Sequence, residues 1–276
     1  MFVAFNNYKG AFFMKILTFS AIKGGVGKTT LAFNYGEWLA KQGKNILFVD
    51  LDHQSNLTQT YDIYANKNTV GNIFRGIGKV DIHKINDHIS LIAGDMHLDD
   101  VESEIDNKTN KNMLLYMWLS DNYDRLNLDR FDYMILDTHP DFSTATKNAI
   151  IVSEAIISPL TPSEHGYNAK FNLEERVSDL RQEAIDYSSR NSYVSANLFF
   201  IANMVKHNTK SSHELLDALK DDDTVLAVIP QKELFNRSTL DKKSLSVMAA
   251  DHKEYIAQRT FFDNMNTVFN QITEHI

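Results

Sequence analysis

Residues 23–30, Lys-Gly-Gly-Val-Gly-Lys-Thr-Thr, follow closely on the short apolar run Ile16-Leu17-Thr18-Phe19 and have the composition of a phosphate-binding loop. Gly24, Gly25 and Gly27, with Val26 among them, let the backbone wrap a chain of phosphates. Glycine has no Cβ to block the approach and tolerates positive φ, so successive amide N–H groups can point at the anion. Lys28 adds a full positive charge, and the hydroxyl of Thr29 suits a Mg²⁺ ion bridging the outer phosphates of a triphosphate. A helix beginning near Thr30 turns its positive end toward the same anion. The general pattern G-x-x-x-x-G-K-[ST] asks for glycine where Ile22 stands, and does not ask for Lys23 at all.

Two acidic stretches have the right character to complete such a site. In Phe48-Val49-Asp50-Leu51-Asp52-His53-Gln54, strand alternation sends Asp50 and Asp52 to one side, where a carboxylate pair needs magnesium, a loop lysine or ordered water between them. The run Tyr133-Met134-Ile135-Leu136 ends in Asp137, followed by Thr138-His139-Pro140. Asp137 suits Mg²⁺ held through water, because this ion keeps much of its hydration and takes one or two protein oxygens. The ten histidines show no H-E-x-x-H spacing, and no zinc site is expected from them.

These residues must be carried by strands that end at one edge. Apolar runs at 16–19, 45–51, 89–93, 133–136, 155–160, 198–204 and 224–229 alternate with helical patterns at 30–42, 98–123, 143–153, 164–189, 211–220 and 242–250. The alternation predicts an α/β fold, a mostly parallel twisted sheet with helices on both faces and ligands at the carboxyl ends of its strands. Phe261, Met265, Val268, Phe269 and Ile272 form one helical stripe, expected to pack on the domain, since its polar side lacks the lysines and arginines of a membrane-surface helix. Asp221-Asp222-Asp223 reads as a solvated loop before a strand.

The 276 residues allow one or two domains at roughly 150 residues each, and no Pro- or Gly-rich linker divides them. We expect a single domain at 14–276, preceded by an extension at 1–13 that lacks the pattern of a signal peptide. Cysteine is absent, which removes disulfides, thiolate metal sites and iron–sulfur clusters and is compatible with a reducing cytoplasm. With 28 basic against 36 acidic residues the net charge is −8, so any contact with nucleic acid must come from a local cluster. No apolar run reaches the roughly 18 residues that span a bilayer.

The Lys-Gly-Gly-x-Gly-Lys-[Ser/Thr] form of the loop resembles the deviant Walker A motif of the ParA/MinD family of dimerising P-loop ATPases. Asp50–Asn56 resembles the family's Val-Asp-x-Asp-Pro-Gln element, with His53 replacing proline, and Leu136–Pro140 resembles its Walker B strand, with His139 replacing the first of two prolines. The order of elements is most similar to short ParA-type partition proteins without an operator-binding domain. That resemblance implies a P-loop NTPase fold and an ATP-dependent homodimer in which Lys23 reaches the partner's phosphates. It further implies that Asp52 orients the attacking water, that Asp50 supports the metal shell beside Thr29 and Asp137, and that Asn203 and Pro230 lie near the adenine. The implied partners are double-stranded DNA of any sequence and a ParB-type centromere-binding protein, in a cytoplasmic, nucleoid-associated setting without a membrane. For DNA we single out Lys206, Lys210, Lys232, Arg237, Lys242 and Lys243, concentrated in the last third of the chain. A MinD-like membrane-associated ATPase or a metabolic P-loop enzyme are the alternatives; a nitrogenase-type iron protein shares the loop but needs the missing cysteines.

Overall fold

Hydrophobic alternation along the strands builds two cores on the opposite faces of one sheet. The computed structural model describes residues 14–163 and 166–276, so the expected extension at 1–13 and the start of the helix predicted from 164 lie outside the described residues. The strands are β1 (Lys15–Phe19), β2 (Ile46–Leu51), β3 (Ile82–Lys84), β4 (Ile89–Ile92), β5 (Tyr133–Thr138), β6 (Ala155–Leu160), β7 (Asn197–Val205) and β8 (Val225–Pro230). They lie in the order β3-β4-β2-β5-β1-β6-β7-β8, parallel throughout except where β3 runs antiparallel to β4 at one edge. Strands β2, β5 and β6 are buried along their whole length, which explains their near-continuous apolar sequences.

On one face Leu17, Phe19, Ile46, Phe48, Tyr133 and Ile135 meet the helices Lys28–Lys41, Glu233–Leu240 and Arg259–Glu274. Their odd-even neighbours Ile16, Leu47, Val49, Met134 and Leu136 point the other way, onto residues such as Phe74, Val101, Leu115 and Ala149. That second face continues under β6 and β7, where Ile156 and Phe200 pack with Leu173, Val177 and Leu215. The helix Lys28–Lys41 approaches β2 so closely that a Cβ on Gly36 would fall 2.1 Å from Phe48 Cζ.

The carboxyl-terminal stripe is core, as expected. Phe261, Met265, Val268, Phe269 and Ile272 are each at most 5% exposed. Phe269 lies 5.6 Å from the ring of Tyr35 and 5.7 Å from that of Trp38, and Trp38 Nε1 donates to Asn266 Oδ1 at 2.9 Å. This helix therefore holds down the helix that opens at the phosphate loop.

Other expectations need correction. The helix predicted at 98–123 is broken into Leu98–Ile105 and Leu114–Asn122, with the polar run Asn107-Lys108-Thr109-Asn110-Lys111-Asn112 between them. The helix predicted at 242–250 shrinks to Leu245–Met248, because Lys242 adopts φ 53° and Ser244 caps the turn by accepting from the Val247 N–H. Asp222 is not simply solvated: it lies 3.0 Å from the buried ammonium of Lys170 and accepts from the Thr224 N–H.

Candidate functional site

The loop from Ser20 to Gly27 leaves β1 and enters the helix at Lys28, two residues earlier than expected. Gly25 and Gly27 have φ of 73° and 93°, the left-handed region where a Cβ would be strained. Asn203, near the end of β7, is 4% exposed and donates its amide to the Val26 carbonyl at 2.8 Å. A Cβ on Gly27 would lie 2.6 Å from that amide nitrogen. Asn203 thus clamps the loop through its side-chain nitrogen, a structural role that the expectation of an adenine contact did not include. Pro230 closes β8 beside Val205.

Lys28 is buried beneath the loop at 6% exposure. Burial pulls its pKa down, while Asp137, Asp52 and Asp141 act in the opposite direction. Thr29 and Thr30 are half-buried in the first helical turn. Lys23 is half-buried as well, and with Ile22 it lines a crevice against Ser158, Pro159 and Leu160 at the end of β6. The two lysines of the motif therefore occupy different surroundings, one beneath the loop and one beside it.

Parallel pairing in register sets Asp50 of β2 beside Asp137 of β5, and Asp137 beside Phe19 of β1. Asp137 is fully buried and neither carboxylate oxygen has a hydrogen-bond partner. Burial, then the charge of Asp50, drives its pKa well above the usual carboxylate range, against the nearby Thr29 hydroxyl and the Lys28 ammonium. An orphaned buried carboxylate costs free energy unless a cation compensates it. With Thr29 close by, the donor set of hard oxygens fits Mg²⁺ beside bound phosphates.

Asp50 differs. Its Oδ2 accepts from the Thr58 N–H at 2.9 Å and the Thr58 hydroxyl at 2.7 Å, and its Oδ1 accepts from the Asp52 N–H at 3.1 Å. Burial still raises its pKa to about 6, against those three hydrogen bonds. The expected metal ligand is thus already engaged: it shapes the turn that carries Asp52 and acts on Asp137 through charge. Thr58, which in turn accepts from the Gly94 N–H at 2.9 Å, was missed because nothing in an isolated threonine eight residues downstream signals the contact.

Asp52 is 4% exposed, and one of its oxygens accepts from the Gln54 N–H at 2.9 Å. Beside it the rings of His53 and His139 face each other with centroids 4.2 Å apart, and His139 Nδ1 lies 3.0 Å from Asp141 Oδ2. Burial raises the Asp141 carboxyl, but hydrogen bonds from the Ser143 N–H and from His139 outweigh it and leave the pKa below its usual value.

The six candidate DNA contacts separate into two kinds. Lys210 pairs with Glu214 at 3.4 Å, Arg237 with Glu254 at 2.6 Å, and Lys242 with Asp62. Lys206, Lys232 and Lys243 are exposed and have no acidic partner among the described residues, Lys232 donating only to the neutral Gln258 at 3.3 Å.

A strand-loop-helix phosphate cradle with acidic residues at the ends of the adjacent parallel strands defines a P-loop nucleotide-binding protein. The family profile for the AAA domain matches residues 14–188. An uncharacterised protein of Methanocaldococcus jannaschii is 28% identical over 88% of this chain and 95% of its own length. A virulence-plasmid ParA family protein of Chlamydia psittaci is 31% identical over 54% of this chain, a match that spans 58% of that protein. In fold, a plasmid partition protein of Borrelia burgdorferi bound to AMPPNP superposes with a TM-score of 0.77 at 23% identity, over 96% of this chain and 100% of its own. The chain belongs to the ParA-type family of P-loop ATPases. Among the described residues no helix is long and apolar enough to cross a membrane.

Proposed function

We propose that this chain is an ATP-dependent DNA partition ATPase. The observation that carries the reading is the different burial of its two loop lysines, Lys28 enclosed and Lys23 half-exposed. Lys28 is buried beneath the cradle, where it neutralises the outer phosphates of the subunit's own ATP, whereas Lys23 lies beside it, free to serve the nucleotide of a facing subunit. Such a lysine supplied in trans offsets charge that develops as the terminal phosphoryl group departs. A chromosome-partitioning ATPase of Treponema pallidum among its relatives and the plasmid partition protein of like fold support the same reading.

Within this function Gly24, Gly25, Val26 and Gly27 offer backbone N–H groups to the phosphates, and Thr29 and Asp137 are the residues that would hold Mg²⁺. The ion supplies electrostatic stabilisation of phosphate charge. Asp52 orients the attacking water and accepts its proton. ATP binding closes a sandwich homodimer, the dimer holds double-stranded DNA without regard to sequence, and a ParB-type centromere-binding protein stimulates hydrolysis and release. The cycle runs in the cytoplasm, on the nucleoid.

The test is retention of arbitrary duplex DNA by the full chain with Mg-ATP, with Mg-ADP and without nucleotide, beside sedimentation with anionic lipid vesicles. ATP-dependent DNA retention supports the reading. A saturating ATP dimer that ignores DNA at about 50 mM salt, where phosphate contacts are strong, overturns it, and vesicle capture would favour a membrane-positioning role.

A further inference from the structure

His53 follows Asp52 at the end of β2, and His139 stands two residues beyond Asp137 at the end of β5. Because Leu51 pairs with Thr138 across these strands, the sheet register brings both histidines to one place. One ligand atom from each of Asp52, His53 and His139 lies within 4.8 Å of the others. Three donors bound tetrahedrally at about 2.0–2.2 Å from a metal stand about 3.4 Å apart, so no pair has more than about 1.4 Å to close. Both histidines are half-buried, which leaves room for that adjustment.

The surroundings add a second feature of metal sites. Asp141 Oδ2 engages Nδ1 of His139 and leaves Nε2 as the donor, a carboxylate–histidine arrangement that fixes ring orientation in metal centres. Asp141 is itself held by the Ser143 N–H at 3.1 Å and the Thr146 hydroxyl at 3.3 Å. Gln54 engages one oxygen of Asp52 and leaves the other for a ligand bond. Two imidazoles and one carboxylate suit zinc and its transition-metal neighbours, whereas Mg²⁺ prefers an all-oxygen shell.

We infer that Asp52, His53 and His139 form a three-ligand site for Zn²⁺, with Asp141 orienting His139, separate from the Mg²⁺ position at Thr29 and Asp137. A further consequence rests on the ATPase reading: zinc takes the Asp52 carboxylate away from the attacking water, so an occupied site binds ATP but does not hydrolyse it. The site is thus an inhibitory metal switch on the hydrolytic step.

Calorimetric titration of the metal-free full chain with Zn²⁺, without nucleotide, tests the site directly, and the absence of cysteine removes thiolate background. We expect one equivalent to bind, with affinity reduced at least about tenfold in His53→Ala and in His139→Ala and by about 10–100-fold in Asp141→Asn, each with an unchanged circular dichroism spectrum. Co²⁺ should give the absorption of a low-coordinate site in the wild type and lose it in His139→Ala. Failure of the wild type to bind Zn²⁺, or affinity as tight as the wild type's in both histidine variants, overturns the proposal. In a separate arm, Zn²⁺ should suppress Mg-ATP hydrolysis by the wild type and spare His139→Ala; persistence of full wild-type activity with the site saturated overturns the inhibitory role. A zinc-free wild type that fails to hydrolyse Mg-ATP refutes the ATPase reading, while the calorimetry still decides the metal site.

Discussion

Asp137 is a carboxylate buried without a hydrogen bond beside a second buried carboxylate, and that position has a measurable cost in the nucleotide-free protein. Its folded pKa lies above the unfolded value, as does that of Asp50, which moves from 3.8 to about 6. An acid of this kind keeps its proton in the folded state after the unfolded chain has released it, so stability falls as pH rises through that window. Asp137→Asn removes the charge and should raise the melting temperature of the metal-free, nucleotide-free protein at pH 8 by a few degrees, at about 2–4 °C per kcal/mol for a chain of this size. The advantage should shrink toward pH 4, where the wild-type carboxyls are protonated; thermal scans at several pH values check this, and a gap independent of pH would rule out charge burial as its cause. Asp52 calls for a different measurement. Asp52→Ala should leave ATP affinity intact and slow turnover by roughly 10²–10⁴-fold, the usual scale for losing a group that positions or deprotonates a nucleophile. Wild-type turnover in that variant would move the role to another residue. The sequence suggested Asp50 and Asp52 as equals because strand alternation sends both to one side. The turn after β2 separates them, since the backbone N–H of Asp52 and both donors of Thr58 fill the Asp50 carboxylate.

At the scale of elements, legibility followed length and burial. Strands β2, β5 and β6, covered on both faces, have apolar runs that few other structures would produce, and their positions were readable within a few residues. Strand β3, three residues at an edge, and the helices Gly71–Arg75 and Asn56–Thr60, five residues each, are too short for periodicity to register. The helix Glu233–Leu240 went unread although it contributes Ser238, whose hydroxyl accepts from the buried Asn34 amide at 2.9 Å. The phosphate loop was legible because its glycines have a local reason; the Asn203 clamp was not, because its partner is 177 positions away. The carboxyl-terminal helix shows how far an element's effect reaches. Phe269→Ala removes the ring packed on Tyr35 and Trp38 and should cost about 3–5 kcal/mol in urea unfolding with the denaturant slope unchanged. A loss below about 1 kcal/mol would mean that this helix is not integral to the core.

At the scale of the whole molecule, the proposed dimer would add what a single chain lacks. Lys23→Ala should bind ATP as the wild type does but fail to form the ATP-dependent dimer or to respond to a stimulating partner; light scattering separates these outcomes, and a normal, fully active dimer would refute action in trans. The proposed DNA binding poses the sharper electrostatic problem, because the chain carries a net charge of −8. The ion pairs of Lys210, Arg237 and Lys242 spend half of the candidate cations internally, leaving Lys206, Lys232 and Lys243. The parallel ends of β7 and β8 bring two of these together: Val205 pairs with Pro230, and the Gln231 N–H donates to the Val205 carbonyl at 3.0 Å, so Lys206 and Lys232 lie near one strand-end edge. Three phosphates neutralised per subunit, doubled in the dimer, give a slope of log K against log salt of about −5, at about 0.9 per phosphate. Binding measured by fluorescence anisotropy should therefore weaken by about a thousandfold between 50 and 200 mM salt. Lys206→Glu with Lys232→Glu should lower affinity evenly across sequences, flatten the slope to about −2 and leave ATP affinity unchanged, because neither lysine belongs to the phosphate cradle. An unaltered slope in that double variant would show that the DNA surface lies elsewhere on the dimer.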